Sequence, residues 1–186
     1  MFHRFLLLTF AVGLVPAAVA QGGERHPGCD SPEARQFDFW AGDWDVQSRV
    51  RTPSGEWFES TQEWTAQEVV GGCVFIDFAD GDFFGPDTRL QGMGTRYYNP
   101  QTQEWTITWI STGAPGQWGS WTGTFSSEEE ATFISETETP SGTMWSRIWW
   151  SELTHDSAHW EHAVSQDGET WQTTWVMELT RKDSGF

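Results

Sequence analysis

Between Gly42 and Arg181 no long segment carries a helical period. Apolar residues alternate with polar ones in short runs, each cut off by turn chemistry. In the first run Trp44, Val46, Ser48 and Val50 share one face, and Asp45, Gln47, Arg49 and Arg51 share the other. That is the period-2 pattern of a strand with one buried and one wet side. The run stops at Thr52-Pro53-Ser54-Gly55. The same reading predicts strands over Trp57–Ala66, Cys73–Phe78, Leu90–Tyr98, Glu104–Ser111, Trp118–Phe125, Ala131–Thr137, Met144–Ser151, His159–Ser165 and Thr170–Arg181. Asn99-Pro100, Thr112 to Gly116, Pro140-Ser141-Gly142 and Asp167-Gly168 supply the turns between them. About ten short strands at regular spacing predict an all-β, antiparallel up-and-down barrel. Closing the barrel also removes the exposed edges that so many aromatic strands would otherwise present.

The first strand opens from an aromatic turn, Gln36 to Val46 (QFDFWAGDWDV), which gathers Phe37, Phe39, Trp40 and Trp44 around Gly42. A Gly-x-Trp at this place has a physical use. The glycine lets the chain turn and lets another group approach closely, and the tryptophan plugs one barrel end with a large apolar surface. Calycins, the superclass of lipocalins and fatty-acid-binding proteins, carry such a motif. The longer string RQFDFWAGDWDV resembles the opening of a bacterial family, domain-of-unknown-function family 1579. The resemblance continues through VVGGCVF (Val69–Phe75), EWTITW (Glu104–Trp109), SRIWW (Ser146–Trp150) and SQDGETW (Ser165–Trp171), and it spans roughly Pro32 to Arg181. It implies a calycin, lipocalin-like barrel and no particular reaction. It also implies a structural plug of Gly42, Trp44 and Arg181, with the arginine at the end of the last strand stacked on Trp44 in a cation–π contact of about 1 kcal/mol.

Residues 1–20 read as a signal peptide: a basic start at Arg4, an apolar run from Phe5 to Val15 too short to span a bilayer, and a small-x-small cleavage site at Ala18-Val19-Ala20. Export to a periplasm or the extracellular space follows. Residues 21–35 form a Gly- and Pro-rich lead-in, and residues 36–182 a single barrel domain. The two cysteines, Cys29 and Cys73, are an even pair in a chain bound for an oxidising compartment, which suggests a disulfide. Closing that loop would stabilise the fold by about 4 kcal/mol on the chain-entropy argument. The other reading leaves Cys73 a buried thiol and Cys29 an exposed one. Neither has metal-site spacing.

A net charge of −17 repels phosphate backbones, so nucleic acid is excluded as a partner, and no later stretch is long enough for a membrane span. Fourteen tryptophans and thirteen phenylalanines exceed what a small β core needs. They serve either packing or an aromatic-lined cavity for a small apolar or amphipathic molecule. The stretch Asp80–Asp87 (DGDFFGPD), with its paired phenylalanines, is a candidate lid.

Alternation also yields candidate ligand contacts: Trp109, Arg147, Trp149, His162 and Trp175. In the last strand Trp171, Thr173, Trp175, Met177, Leu179 and Arg181 fall on one face; in Met144–Ser151 the inward face is ambiguous. Arg147 or His162 would be the polar anchor, because an arginine inside an aromatic lumen needs an anionic partner. A haem is the alternative occupant, since nitrobindin-like barrels, relatives of the calycins, ligate haem through one histidine, and His162 or His159 could serve. A metal site built from His155, His159 and His162 is disfavoured, since the last two fall on opposite faces of a strand. There is no nucleophile-elbow motif, phosphate loop or paired nucleophile and base, so binding is expected rather than catalysis.

Overall fold

A computed structural model describes residues 25–182; the expected signal peptide and the start of the lead-in lie outside the described residues. Three short 3-10 turns, Pro27–Cys29, Glu33–Arg35 and Asp38–Trp40, lead into ten strands. These are β1 (Gly42–Arg51), β2 (Trp57–Val69), β3 (Val74–Asp82), β4 (Arg89–Asn99), β5 (Glu104–Ser111), β6 (Gly119–Ser127), β7 (Glu130–Thr139), β8 (Gly142–Ser151), β9 (Ser157–Ser165) and β10 (Gln172–Arg181). Each pairs antiparallel with its sequence neighbour, and β1 pairs with β10 to close the barrel. This is the expected up-and-down architecture. The first part of Asp80–Asp87 belongs to β3 rather than to a loop.

Alternation decides what faces the lumen. Trp44, Val46, Ser48 and Val50 of β1 are buried, and Asp45, Gln47, Arg49 and Arg51 are exposed. The rule fails at one place. Thr173 pairs with Ala163 and Trp175 with His162, so Thr174 is an extra residue in a bulge between β9 and β10. A bulge shifts the side-chain parity of one strand. Thr173 therefore bonds the outer-face Glu161, while Thr174 joins Trp175 on the inside. The single inward face expected from Trp171 to Arg181 is thus broken at Thr174.

One end of the barrel is filled solid. Phe37, Trp40, Trp44, Phe75, Trp105, Phe133 and Trp150 are buried to within about 1% of complete. Phe37 packs edge-on against Trp105 at 4.8 Å and Phe125 at 5.0 Å, and Trp40 stacks on Trp44 at 5.5 Å. Each such side chain contributes roughly 1.5–3 kcal/mol relative to exposure. Arg181 seals this end, its guanidinium 4.3 Å from the Trp44 ring centre. It donates to the backbone carbonyls of Ala41, Phe39 and His155. Gly42 is required there: a Cβ at that position would lie 2.3 Å from the Arg181 guanidinium, and its φ is +133°.

The lead-in is tied across the same end. A disulfide joins Cys29 to Cys73, 44 residues apart. Arg25 bridges Asp38 at 2.7 Å and Glu68 at 2.6 Å, and the His26 amide donates to the Gly71 carbonyl at 2.7 Å. A disulfide agrees with an oxidising location. Among the described residues no helix is long and apolar enough to cross a membrane.

Candidate functional site

The other end of the barrel is hollow. A cavity of about 340 Å³ opens there, and its lining is nearly all apolar. Trp64 (β2), Trp109 (β5), Trp121 (β6), Trp160 (β9) and Trp175 (β10) form the walls, with Val50, Ile107, Ile148 and Met177 between them. Trp64 and Trp109 stack at 5.4 Å with a 17° interplanar angle, and Trp160 meets Trp175 edge-on at 5.1 Å. A glycine on the neighbouring strand makes room for Trp109, and one on the same strand makes room for Trp121. A Cβ at Gly92 would lie 2.1 Å from the Trp109 ring, and one at Gly119 would lie 2.4 Å from that of Trp121.

Wall indoles are satisfied sideways, within the barrel wall. Trp175 Nε1 donates to Ser48 Oγ at 2.8 Å, Trp121 Nε1 to Ser146 Oγ at 2.7 Å, and Trp64 Nε1 to Gln62 Oε1 at 3.1 Å. These bonds hold the rings in place and leave their faces for contact. At the mouth, Phe83 is wholly buried against Trp64 and Trp175, while the neighbouring Phe84 is half exposed and packs edge-on to Trp175 at 6.4 Å. The β3–β4 turn thus lays one phenylalanine into the core and the next over the opening.

His162 lies on the cavity wall, between Trp121 (6.2 Å, perpendicular) and Trp160 (6.4 Å, parallel). Its Nδ1 is 2.7 Å from Thr174 Oγ1, the bulge residue, whose hydroxyl in turn donates to the His162 carbonyl at 3.3 Å. With the hydroxyl proton on that carbonyl, Nδ1–H donates to Thr174 Oγ1 and Nε2 keeps its lone pair; with the hydroxyl donating to Nδ1, the tautomer is the reverse. Burial pushes the imidazole down to about 4 from its ordinary 6.5, so it is neutral at neutral pH.

The floor between the hollow and filled ends is ionic. Arg96 (β4) and Asp77 (β3), both buried, form a salt bridge, and the guanidinium lies 4.7 Å from the Trp40 ring centre, with Trp150 also against it. Burial pulls Arg96 below its ordinary pKa, opposed by Asp77. Neither residue was anticipated. Both faces of Val74–Ala79 are apolar enough that alternation hides Asp77. A carboxylate inside the run Phe75-Ile76-Asp77-Phe78 was nonetheless a signal that it needed a buried cation.

Of the expected ligand contacts, Trp109, His162 and Trp175 converge on the cavity. Arg147 and Trp149 do not line it. On β8 it is Ile148 and Trp150 that face inward. The Arg147 guanidinium stacks over Trp171 at 4.7 Å, and Trp149 packs against His159 and donates to Glu130 at 3.0 Å. The physical reason is that β8 is apolar on both faces, because its outer face is covered by neighbouring aromatic and charged side chains. His159 is likewise outside the cavity, held between Glu178 at 2.8 Å and Glu161 at 3.1 Å. Burial would lower its pKa, but those two carboxylates outweigh it, and the net shift is upward.

No protein-family model matches the chain, so the resemblance to family 1579 rests on its motifs alone. No curated protein matches it either. Solved structures do. Rv2717c from M. tuberculosis superposes with a TM-score of 0.57 at 12% identity, over 82% of this chain and 98% of that one. The S-type phycobiliprotein lyase CPES from Guillardia theta superposes with a TM-score of 0.53 at 10% identity, over 80% and 92%. At these identities the likeness is one of fold alone: the chain is a closed, ten-stranded, antiparallel up-and-down barrel.

Proposed function

We propose that this protein is an exported barrel that binds a small apolar or amphipathic molecule among Trp109, Trp175, Trp121 and His162. The observation that carries the reading is the unequal filling of one barrel. Aromatic side chains pack one end solid, while six tryptophans border about 340 Å³ of space toward the other. The volume lies at the lower end of small-molecule sites, which suits a ligand of one to three fused rings.

The site supports binding better than turnover. His162 is the titratable group on the aromatic wall, and its Nδ1 is engaged with Thr174 Oγ1. A haem on His162 is the poorer fit. The free Nε2 suits a metal ligand, but a tetrapyrrole would displace the Trp121 and Trp160 rings that flank the imidazole.

The test is a native mass spectrum of the protein purified from its export compartment, compared with the denatured mass. A discrete excess mass too small for haem is the expected result. Excess mass matching haem, with a Soret band lost in His162→Ala, would replace this reading with the other. No excess mass, together with no uptake of apolar fluorescent probes, would refute binding altogether.

A further inference from the structure

One polar side chain on the cavity wall keeps an atom in reserve. His162 stands on the inner face of β9, and its cross-strand neighbours, Ile148 on β8 and Trp175 on β10, border the cavity with it. Its Nδ1 is taken up by Thr174 Oγ1 at 2.7 Å. Its Nε2 has no partner among the described residues and, unlike Arg96 Nε and Trp150 Nε1 in the floor, is not sealed off. The ring is partly accessible, and the space it opens onto is the cavity. The indoles of Trp64, Trp121 and Trp175 are spent on the wall itself. Those of Trp109 and Trp160 have no acceptor among the described residues, but an indole N–H can only donate. His162 Nε2 accepts a hydrogen bond when the ring proton is on Nδ1 and donates one when it is not.

The charges around the cavity disfavour an anion. Arg96 is spent on Asp77. Arg51 borders the opening but stands in water, where a charge contributes little. His162 is neutral at neutral pH, and to balance a carboxylate it would have to take up a proton inside an apolar wall. A buried unpaired charge is far more costly than a buried neutral hydrogen-bonding group. A plain hydrocarbon has the opposite fault, because it displaces water from Nε2 and puts no partner in its place. A ligand hydroxyl meets both conditions. It is uncharged, it donates to Nε2 in one tautomer and it accepts from Nε2–H in the other. We infer that the ligand is a flat, uncharged aromatic alcohol, with its hydroxyl on His162 Nε2 and its rings between the tryptophan walls. Phenols and naphthols belong to this class; fatty acids, aromatic carboxylates and plain hydrocarbons do not. The inference rests on the cavity being a binding site, as proposed above.

Four probes of nearly one shape separate the alternatives: 2-naphthol (donor and acceptor), 2-methoxynaphthalene (acceptor alone), 2-ethylnaphthalene (neither) and 2-naphthoate (anionic). Their dissociation constants for the mature protein are measured by equilibrium dialysis at pH 7.5, where an aromatic hydroxyl of pKa about 10 keeps its proton. Naphthol is expected to bind about tenfold more tightly than the hydrocarbon and at least tenfold more tightly than the carboxylate, with the ether between naphthol and hydrocarbon. His162→Phe keeps a flat ring and removes the nitrogen, and it should shrink naphthol's advantage over the hydrocarbon several-fold. An undiminished advantage in the folded variant would overturn the inference, and the wild-type ranking is decisive even if the variant folds poorly. Equal binding of naphthol and hydrocarbon would mean that Nε2 meets only water, and the inference fails while the binding site stands. An ether as tight as naphthol would overturn the hydroxyl in favour of a ligand that only accepts. Tightest binding by the carboxylate would overturn it in favour of charge recognition. Failure of all four probes to bind would overturn the proposed function itself.

Discussion

The two ends of the barrel use the same residue type for opposite purposes. At the closed end Trp40, Trp44 and Trp105 pack against other aromatics, with the cation of Arg96 on Trp40 and that of Arg181 on Trp44. At the open end Trp64, Trp109, Trp121, Trp160 and Trp175 stand around the wall, and the N–H groups of Trp64, Trp121 and Trp175 are bonded to it. The difference lies in what fills the axis. The aromatic turn of Phe37 to Trp40 inserts into the closed end; among the described residues no such turn enters the open one, where Phe83 is buried against Trp64 and Trp175 and Phe84 leans over the mouth. Tryptophan content alone therefore says little about a cavity; the presence of an inserted turn decides it.

This comparison is open to direct attack. The largest effect is expected from Trp44→Ala at the closed end, which removes a fully buried ring and the platform for Arg181. It should lower the denaturant-derived stability by about 3–5 kcal/mol, whereas Trp109→Ala, on a wall already beside empty space, should cost clearly less and weaken probe binding instead. Equal losses would mean that the two ends are not energetically distinct.

Next comes the disulfide over the closed end. Replacing Cys29 and Cys73 together by serine should destabilise by about 2–4 kcal/mol while leaving probe affinity at the open end unchanged. A large drop in affinity would show that the ends are coupled.

The two buried-side histidines should respond to pH in opposite senses. For His162 the folded pKa is about 4 and the unfolded about 6.5, so between these values the unfolded chain holds the extra proton. Its contribution is fully present above pH 6.5 and is lost as pH falls through 4, about 3 kcal/mol in all. For His159 the folded pKa is raised, so its contribution is present below the ordinary value and disappears as pH rises through the raised one. Unfolding midpoints of His162→Gln across pH 4 to 7 should lose most of the acid-side slope. An unchanged slope would place the acid sensitivity elsewhere.

The smallest change in stability is expected for Phe84→Ala, because the ring is half exposed. Stability should stay within about 0.5 kcal/mol, but an apolar probe should leave faster in stopped-flow release, since the mouth loses its cover. An unaltered release rate would remove Phe84 from the gate.

Most of the barrel was legible in the sequence because strand formation is local. Alternation places Trp44 and Val46 inside and Asp45 and Gln47 outside without reference to any other strand, and turn residues mark where each strand stops. The plug and the cavity wall were legible for the same reason: Gly42, Trp44, Trp109 and Trp175 each stand in a run with one clearly apolar face. Tertiary structure alone decided three other things. The Thr174 bulge turned Thr173 outward and brought a hydroxyl to His162, a one-residue register choice that only the pairing of β9 with β10 defines. Arg147 went to the outside because β8 is apolar on both faces, so the pattern could not rank them. Asp77 and Arg96 went inside because each could be buried only with the other, and a pair 19 residues apart is invisible to any local period.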